Sequence, residues 1–144
     1  MKDSKISLMK GARHVIEELR KRQMKLAIIS GSLNVILDYV LPDYEQLFDD
    51  VFLSRIFFDA KGHISSVHAT PFDMDGKAKA LQQIAQREHI SLPDCVFIGD
   101  HQNDIAIAKE AGLAIAFDCK DDGLRNVCDV AIDKKDLREV LRYL

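Results

Sequence analysis

The sequence predicts an α/β fold: a parallel sheet with helices on both faces, and one β-hairpin attached. Three observations predict it. The apolar runs LAII, CVFI, LAIAF and VAI are short and unalternating, as in strands buried on both sides. Amphipathic stretches separate most of them, which is the βα alternation of a parallel sheet. Two of the runs end in small polar residues, Ser30-Gly31 and Gly99-Asp100, at the carboxyl ends where such sheets place ligands.

Gly11–Gln23 reads as an amphipathic helix, with Ala12, Val15, Ile16 and Leu19 at helical spacing. Leu26–Ile29 is the first strand, ended by Ser30-Gly31-Ser32. Asn34–Leu41 is a helix stopped by Pro42. Val51–Phe58 and His63–His68 flank Asp59-Ala60-Lys61-Gly62, a hairpin signature. Gly76–Glu88 is a second amphipathic helix, with Ala80, Leu81, Ile84 and Ala85 on one side. Cys95–Ile98 is a strand, Asn103–Ala111 a helix stopped by Gly112, and Leu113–Phe117 and Val130–Ile132 are strands. Asp136 is placed to cap a last helix that runs to Leu144.

The 144 residues fit one domain, residues 1–144. An apolar fraction of 47% and a charged fraction of 30% are those of an ordinary globular chain. A net charge of −3 with no dense basic run argues against nucleic acid and membrane surfaces as partners. No apolar run approaches the ~20 residues of a membrane span, and the first residues contain no signal-like apolar stretch. Cys95, Cys119 and Cys128 are odd in number and form no CxxC pair, so neither a disulfide framework nor a zinc site is indicated. A reduced, cytoplasmic setting is the expectation.

Three places in the chain have chemistry in them. Ser30-Gly31 offers a hydroxyl and backbone N–H groups before a helix, which suits phosphate, although strand-to-helix turns use the same residues for capping. Lys77 stands in the first turn of its helix, where a cation opposes the helix dipole. An anion in front of the helix would explain it; an exposed surface lysine would also fit. Gly99-Asp100-His101-Gln102-Asn103-Asp104 sets two carboxylates and an amide at the end of a buried strand. Such hard oxygen donors suit magnesium.

These residues, in this order, resemble the haloacid dehalogenase superfamily. Ser30 in LAIISGS, Lys77 in DGKAKAL, and Asp100 with Asp104 in FIGDHQND match its second, third and fourth motifs. The stretches GARHVIEELRKRQMKLAIISGS and IGDHQNDIAIAKEAGLAIAF, and the tail CDVAIDKKDLREVLRYL, are similar to its phosphoserine phosphatase branch. The resemblance implies a Rossmann-like core and a Mg2+-dependent phosphomonoester hydrolase working through an aspartyl-phosphate on a small phosphorylated metabolite. It implies that Ser30 bonds the phosphoryl group and that Lys77 neutralises charge on it. Asp100 would ligate magnesium with Asp104 ligating or supporting, and Asn103 and the Gly31 backbone would position phosphate or substrate. His101 stands where the branch usually has Gly; it would either tune the site or face solvent.

The family's first motif, Asp-x-Asp-x-Thr on the central strand, has no counterpart here. Only ten residues precede Gly11, and Asp3 is the one aspartate among them. Phe72-Asp73-Met74-Asp75-Gly76 imitates it, but VHATPF is a poor strand and the motif order would be wrong. A loop leading to the Lys77 helix, with Asp75 as cap, is the expected reading. The resemblance also implies a missing cap domain and a central strand missing between those ending at Ile29 and Ile98. Its slot would be filled by a longer chain or by association into an oligomer. The alternative to an enzyme is a non-catalytic domain that keeps a phosphate- and magnesium-shaped pocket for binding or regulation.

Overall fold

The computed structural model describes residues 6–70 and 75–144. The chain divides into two compact units, residues 1–71 and 72–144.

In the first unit, helix α1 (Ala12–Lys21) follows Gly11, whose φ of 80° is a left-handed conformation that glycine adopts at no steric cost. The four residues at helical spacing, Ala12, Val15, Ile16 and Leu19, are the buried ones. Basic Arg20 and Lys21 sit in the last turn, where the helix dipole favours them. Strand β1 (Ala27–Leu33) runs parallel to β2 (Asp50–Phe58), with Ala27 opposite Asp50 and Ile29 opposite Phe52. The polar triplet Ser30-Gly31-Ser32 does not end β1 as expected. The backbone stays extended, the register shifts between Ile29 and Leu33, and Leu33 pairs again with Ser54. Short helices α2 (Asn34–Val40) and α3 (Tyr44–Leu47) follow, with Leu41 and Tyr44 buried.

β2 turns back as antiparallel β3 (Ile64–His68). Asp59 makes the turn: its Oδ1 accepts the N–H groups of Lys61 at 2.8 Å and His63 at 2.9 Å. Gly62 supplies the positive φ of 82°. The N–H bonds from His63 and Lys61 hold the Asp59 carboxyl below its usual range.

The second unit opens with α4 (Asp75–Glu88), in which Asp75 is the first helical residue. Its buried residues are Lys77, Ala78, Ala80, Ile84 and Ala85; Leu81, expected inside, is half-buried. Strands β4 (Val96–Gly99), β5 (Leu113–Phe117) and β6 (Val130–Ile132) form a parallel sheet in that order. Helices α5 (Ile105–Glu110) and α6 (Asp122–Val127) connect them. Ala108, Ala114, Ala116, Cys119 and Leu124 form its core, with Phe97, Ile105, Val127 and Cys128 packed against them.

The expectation that every strand is buried on both faces holds only for β5. β1 and β4 are half-buried along most of their length, because each is an edge strand of its own sheet, in the orders β1-β2-β3 and β4-β5-β6. The α5 segment begins with a 3-10 turn over Gln102–Asp104, and the last element, Leu137–Arg142, is 3-10 rather than α. Asp136 caps it as expected, accepting the Arg138 N–H at 3.2 Å.

Candidate active site

In the second unit the site is built around a buried ion pair. Lys77 Nζ lies 2.5 Å from Asp104 Oδ1, and the two side chains are 8% and 5% exposed. Lys77 reaches inward because it lies on the same face of α4 as Ala80, Ile84 and Ala85, all of them buried. Its predicted alternative, an exposed surface lysine, is excluded by that burial.

The other oxygen of Asp104 organises the loop. Oδ2 accepts the N–H of Asp100 at 3.2 Å and that of His101 at 3.3 Å. The Asp104 N–H in turn donates to the His101 backbone carbonyl at 2.9 Å, which closes the start of the 3-10 turn. Gly99 is required for this packing: a Cβ there would collide with the Phe97 ring and with Asp104 Oδ2.

The result separates the two carboxylates of the motif by role. Asp104 is enclosed and its oxygens are engaged by a cation and two backbone donors. Asp100 is exposed at the carboxyl end of β4 and accepts no hydrogen bond among the described residues. An open carboxylate there is a hard oxygen donor of the kind magnesium takes, one or two at a time, beside phosphate and water. Among the described residues no group of three or more His, Cys, Asp and Glu side chains converges as a metal cage. Asn103 Oδ1 is buried with no hydrogen-bond partner among the described residues, so this amide retains bonding capacity. A groove of about 570 Å3 runs beside it, lined by Asp75, Lys79, Gln82, Gln102, Asn103 and Lys109 among others.

Ser30 and Gly31 lie in the first unit. Ser30 Oγ accepts the Ser32 N–H at 3.1 Å, which leaves its own O–H free to donate. Gly31 is exposed on the extended end of β1, not in a turn between strand and helix as its sequence context suggested. Sequence reasoning missed Asn34. Its Oδ1 accepts the Ile56 N–H at 2.8 Å and its Nδ2 donates to Asp38 Oδ2 at 3.0 Å, pinning α2 to β2 just beyond the Ser30 segment. The only signal was an Asn at a helix start, which reads as an ordinary cap. Asp73, considered above as part of a mimic of the first motif, lies outside the described residues.

A family model described as haloacid dehalogenase-like hydrolase matches residues 2–109. A phosphoserine phosphatase of Methanocaldococcus jannaschii is 34% identical over 141 residues, 97% of this chain and 65% of that protein. One from Lactococcus lactis is 33% identical over 140 residues, 96% of this chain and 63% of its own length. A solved structure described as a substrate-bound phosphoserine phosphatase complex superimposes with a TM-score of 0.82 at 35% identity, over 94% of this chain and 63% of that one. The chain thus spans a little under two thirds of the length of these relatives.

Proposed function

Because the chain belongs to the haloacid dehalogenase-like hydrolase family, we propose that it forms part of a magnesium-dependent phosphomonoesterase. Its substrate is a small phosphorylated metabolite, with phosphoserine the first candidate, since the relatives that cover nearly all of this chain are phosphoserine phosphatases. The observation that carries the proposal is the buried Lys77–Asp104 pair, tied through Asp104 to the Asp100 backbone.

An ammonium has three donors, and Asp104 takes one, so Lys77 keeps two for phosphoryl oxygens. Held in low dielectric by Asp104, it meets a phosphoryl group with little reorganisation. Ser30 donates its free O–H to the same class of oxygen, and Asn103 and the Gly31 backbone position phosphate or substrate. Asp100 is the residue that would hold magnesium, and Asp104 supports it from behind or joins it as a ligand. Magnesium, when bound, neutralises charge on the phosphoryl oxygens during transfer.

None of these groups is the nucleophile. We assign that role to an aspartate in an Asp-x-Asp-x-Thr strand outside these 144 residues: it attacks phosphorus, the bond to the ester oxygen breaks and the alcohol leaves with a proton, and water then hydrolyses the aspartyl-phosphate to aspartate and inorganic phosphate. Such a strand, from a longer form of the chain or from a second copy, would also pair with the free edge of β1 or of β4. The three free cysteines are compatible with a reducing, cytoplasmic setting. Among the described residues no helix is long and apolar enough to cross a membrane. The non-catalytic alternative finds no support in these relatives.

The test is magnesium-dependent hydrolysis of an aryl phosphate, by this chain alone and by a chimera carrying upstream the corresponding first-motif segment of the Methanocaldococcus jannaschii relative. The proposal expects turnover in the chimera and none in the chain alone. A chain that turns over unaided would place the nucleophile within these residues. A folded chimera that stays inert would remove the proposal.

A further inference from the structure

Ser30 and Gly31 sit on an arch in β1. Ile29 stands opposite Phe52 and Leu33 opposite Ser54, so Ser30, Gly31 and Ser32 together face the single residue Leu53. Extra residues on one strand lose their ladder partners, and such bulges recur beside active sites, where they re-aim side chains. Leu53 is buried, whereas Gly31 and Ser32 are exposed and Ser30 is half-buried. An arch of this kind keeps its shape only if both of its feet are fixed.

The upstream foot is fixed by the ladder of Ala27, Ile28 and Ile29 on Asp50, Val51 and Phe52. The downstream foot is Leu33, the last residue of β1. On its partner strand, Ser54 is buried and its Oγ accepts the Thr70 N–H at 3.1 Å. Had β1 continued, Val35 would stand opposite Ile56; instead α2 begins at Asn34. The Ile56 N–H is taken by Asn34 Oδ1 at 2.8 Å, so a side chain supplies the acceptor that the strand no longer offers. Asp38 turns the amide that way: its Oδ2 accepts from Asn34 Nδ2 at 3.0 Å, one helical turn further on. Packing does not hold α2 in its place, because none of its residues is buried.

We propose that Asn34 is a positioning residue for phosphoryl transfer. The assignment rests on the phosphomonoesterase reading, in which the Ser30 O–H and the Gly31 backbone meet the phosphoryl group. Asn34 touches none of the reacting atoms. It ties the downstream foot of the arch to β2, and so fixes where the Ser30 O–H points. A misplacement of about 1 Å costs on the order of 100-fold in rate, and Ser30 is one donor among several, so about tenfold is expected here. Binding groups elsewhere are untouched, so the loss falls on kcat, with KM changed by less than about threefold.

Two measurements test this, one on the chain and one on the chimera with its first-motif segment. In the chain, hydrogen exchange of the Ile56 and Ser32 amides is expected to quicken at least about tenfold in Asn34→Ala, with the far-UV circular dichroism unchanged. In the chimera, Asn34→Ala is expected to lower kcat for phosphoserine about tenfold per folded molecule. The swap Asn34→Asp with Asp38→Asn re-forms both bonds: one carboxylate oxygen takes the Ile56 N–H and the other takes the amide at position 38. It is expected to return kcat to within about threefold of the parent. Asn34→Asp alone sets two carboxylates one turn apart and is expected to stay slow. A residue that served stability alone would lower the melting temperature and leave kcat per folded molecule unmoved. Amide exchange at Ile56 that does not quicken overturns the proposal whether or not the chimera turns over. An inert parent chimera removes the phosphomonoesterase reading and this assignment with it. An active parent matched by its Asn34→Ala variant overturns the assignment alone, as does a swap that stays slow.

Discussion

Replacing Lys77 with Met is the most informative single perturbation of the fold. The side chain is 8% exposed, and its ammonium faces Asp104 Oδ1 at 2.5 Å, with Asp104 itself 5% exposed. Methionine fills a similar volume, so packing changes little. What remains is a buried carboxylate with one oxygen unpaired, because Oδ2 alone is served by the N–H groups of Asp100 and His101. Removing one partner of a buried pair costs about 3–5 kcal/mol. At roughly 2–4 °C per kcal/mol for a chain of this size, the melting temperature should fall by about 6–20 °C. The chain has no Trp, so thermal and urea unfolding are best followed by far-UV circular dichroism. Lys77→Met with Asp104→Asn removes the stranded charge while keeping an oxygen for the two N–H groups, and should recover at least half of the loss. A Lys77→Met protein within about 1 kcal/mol of the parent would refute the reasoning, since that is the behaviour of an exposed ion pair.

Other predictions follow from single observations. Asp100→Ala should abolish magnesium-dependent turnover in the active chimera yet change stability by less than about 1 kcal/mol, because the side chain is exposed; activity and melting are measured on the same preparation. Gly99→Ala should destabilise by roughly 1–3 kcal/mol in urea unfolding, because its Cβ meets Phe97 and Asp104. Burial pushes the Cys128 thiol up to about 11, so its thiolate is disfavoured in the folded state; stability should fall as pH rises from about 9 to 11, and Cys128→Ala should flatten that arm of a pH–stability curve. The Arg13 guanidinium holds the Asp43 carboxyl below its usual range, so stability should fall as pH drops below the ordinary carboxylate range, less steeply in Arg13→Ala.

Periodicity carried the elements that bury enough surface to need it. The inward residues of α1 and the limits of β5 and β6 were readable because apolar spacing is what forms them. Helix α3 and helix α6 were not, for opposite reasons. Four residues of α3 are too few to display a period, and α6 is announced only by its Asp121 cap, which accepts the Leu124 N–H at 2.7 Å. The end of β1 was misplaced because Ser-Gly-Ser shifts a ladder's register without forcing the chain to turn. At the site, residue types pointed to Lys77, Asp100 and Asp104, but not to their division of labour. That Asp104 faces inward, bonded to Lys77 and the loop, while Asp100 stays open, depends on packing around Gly99 that no spacing encodes. Asn34 was invisible for a related reason: its partner Ile56 is 22 residues away.

Lys77 and Asp100 are proposed to serve phosphoryl transfer. The most direct measurement is the initial rate of phosphate release from phosphoserine by the chimera with its first-motif segment, with and without magnesium, against its Lys77→Ala and Asp100→Ala variants. A magnesium-dependent rate is expected in the parent, falling by a factor of at least about 100 in each folded variant, ~2.7 kcal/mol of transition-state stabilisation. A parent rate that both variants retain would contradict it.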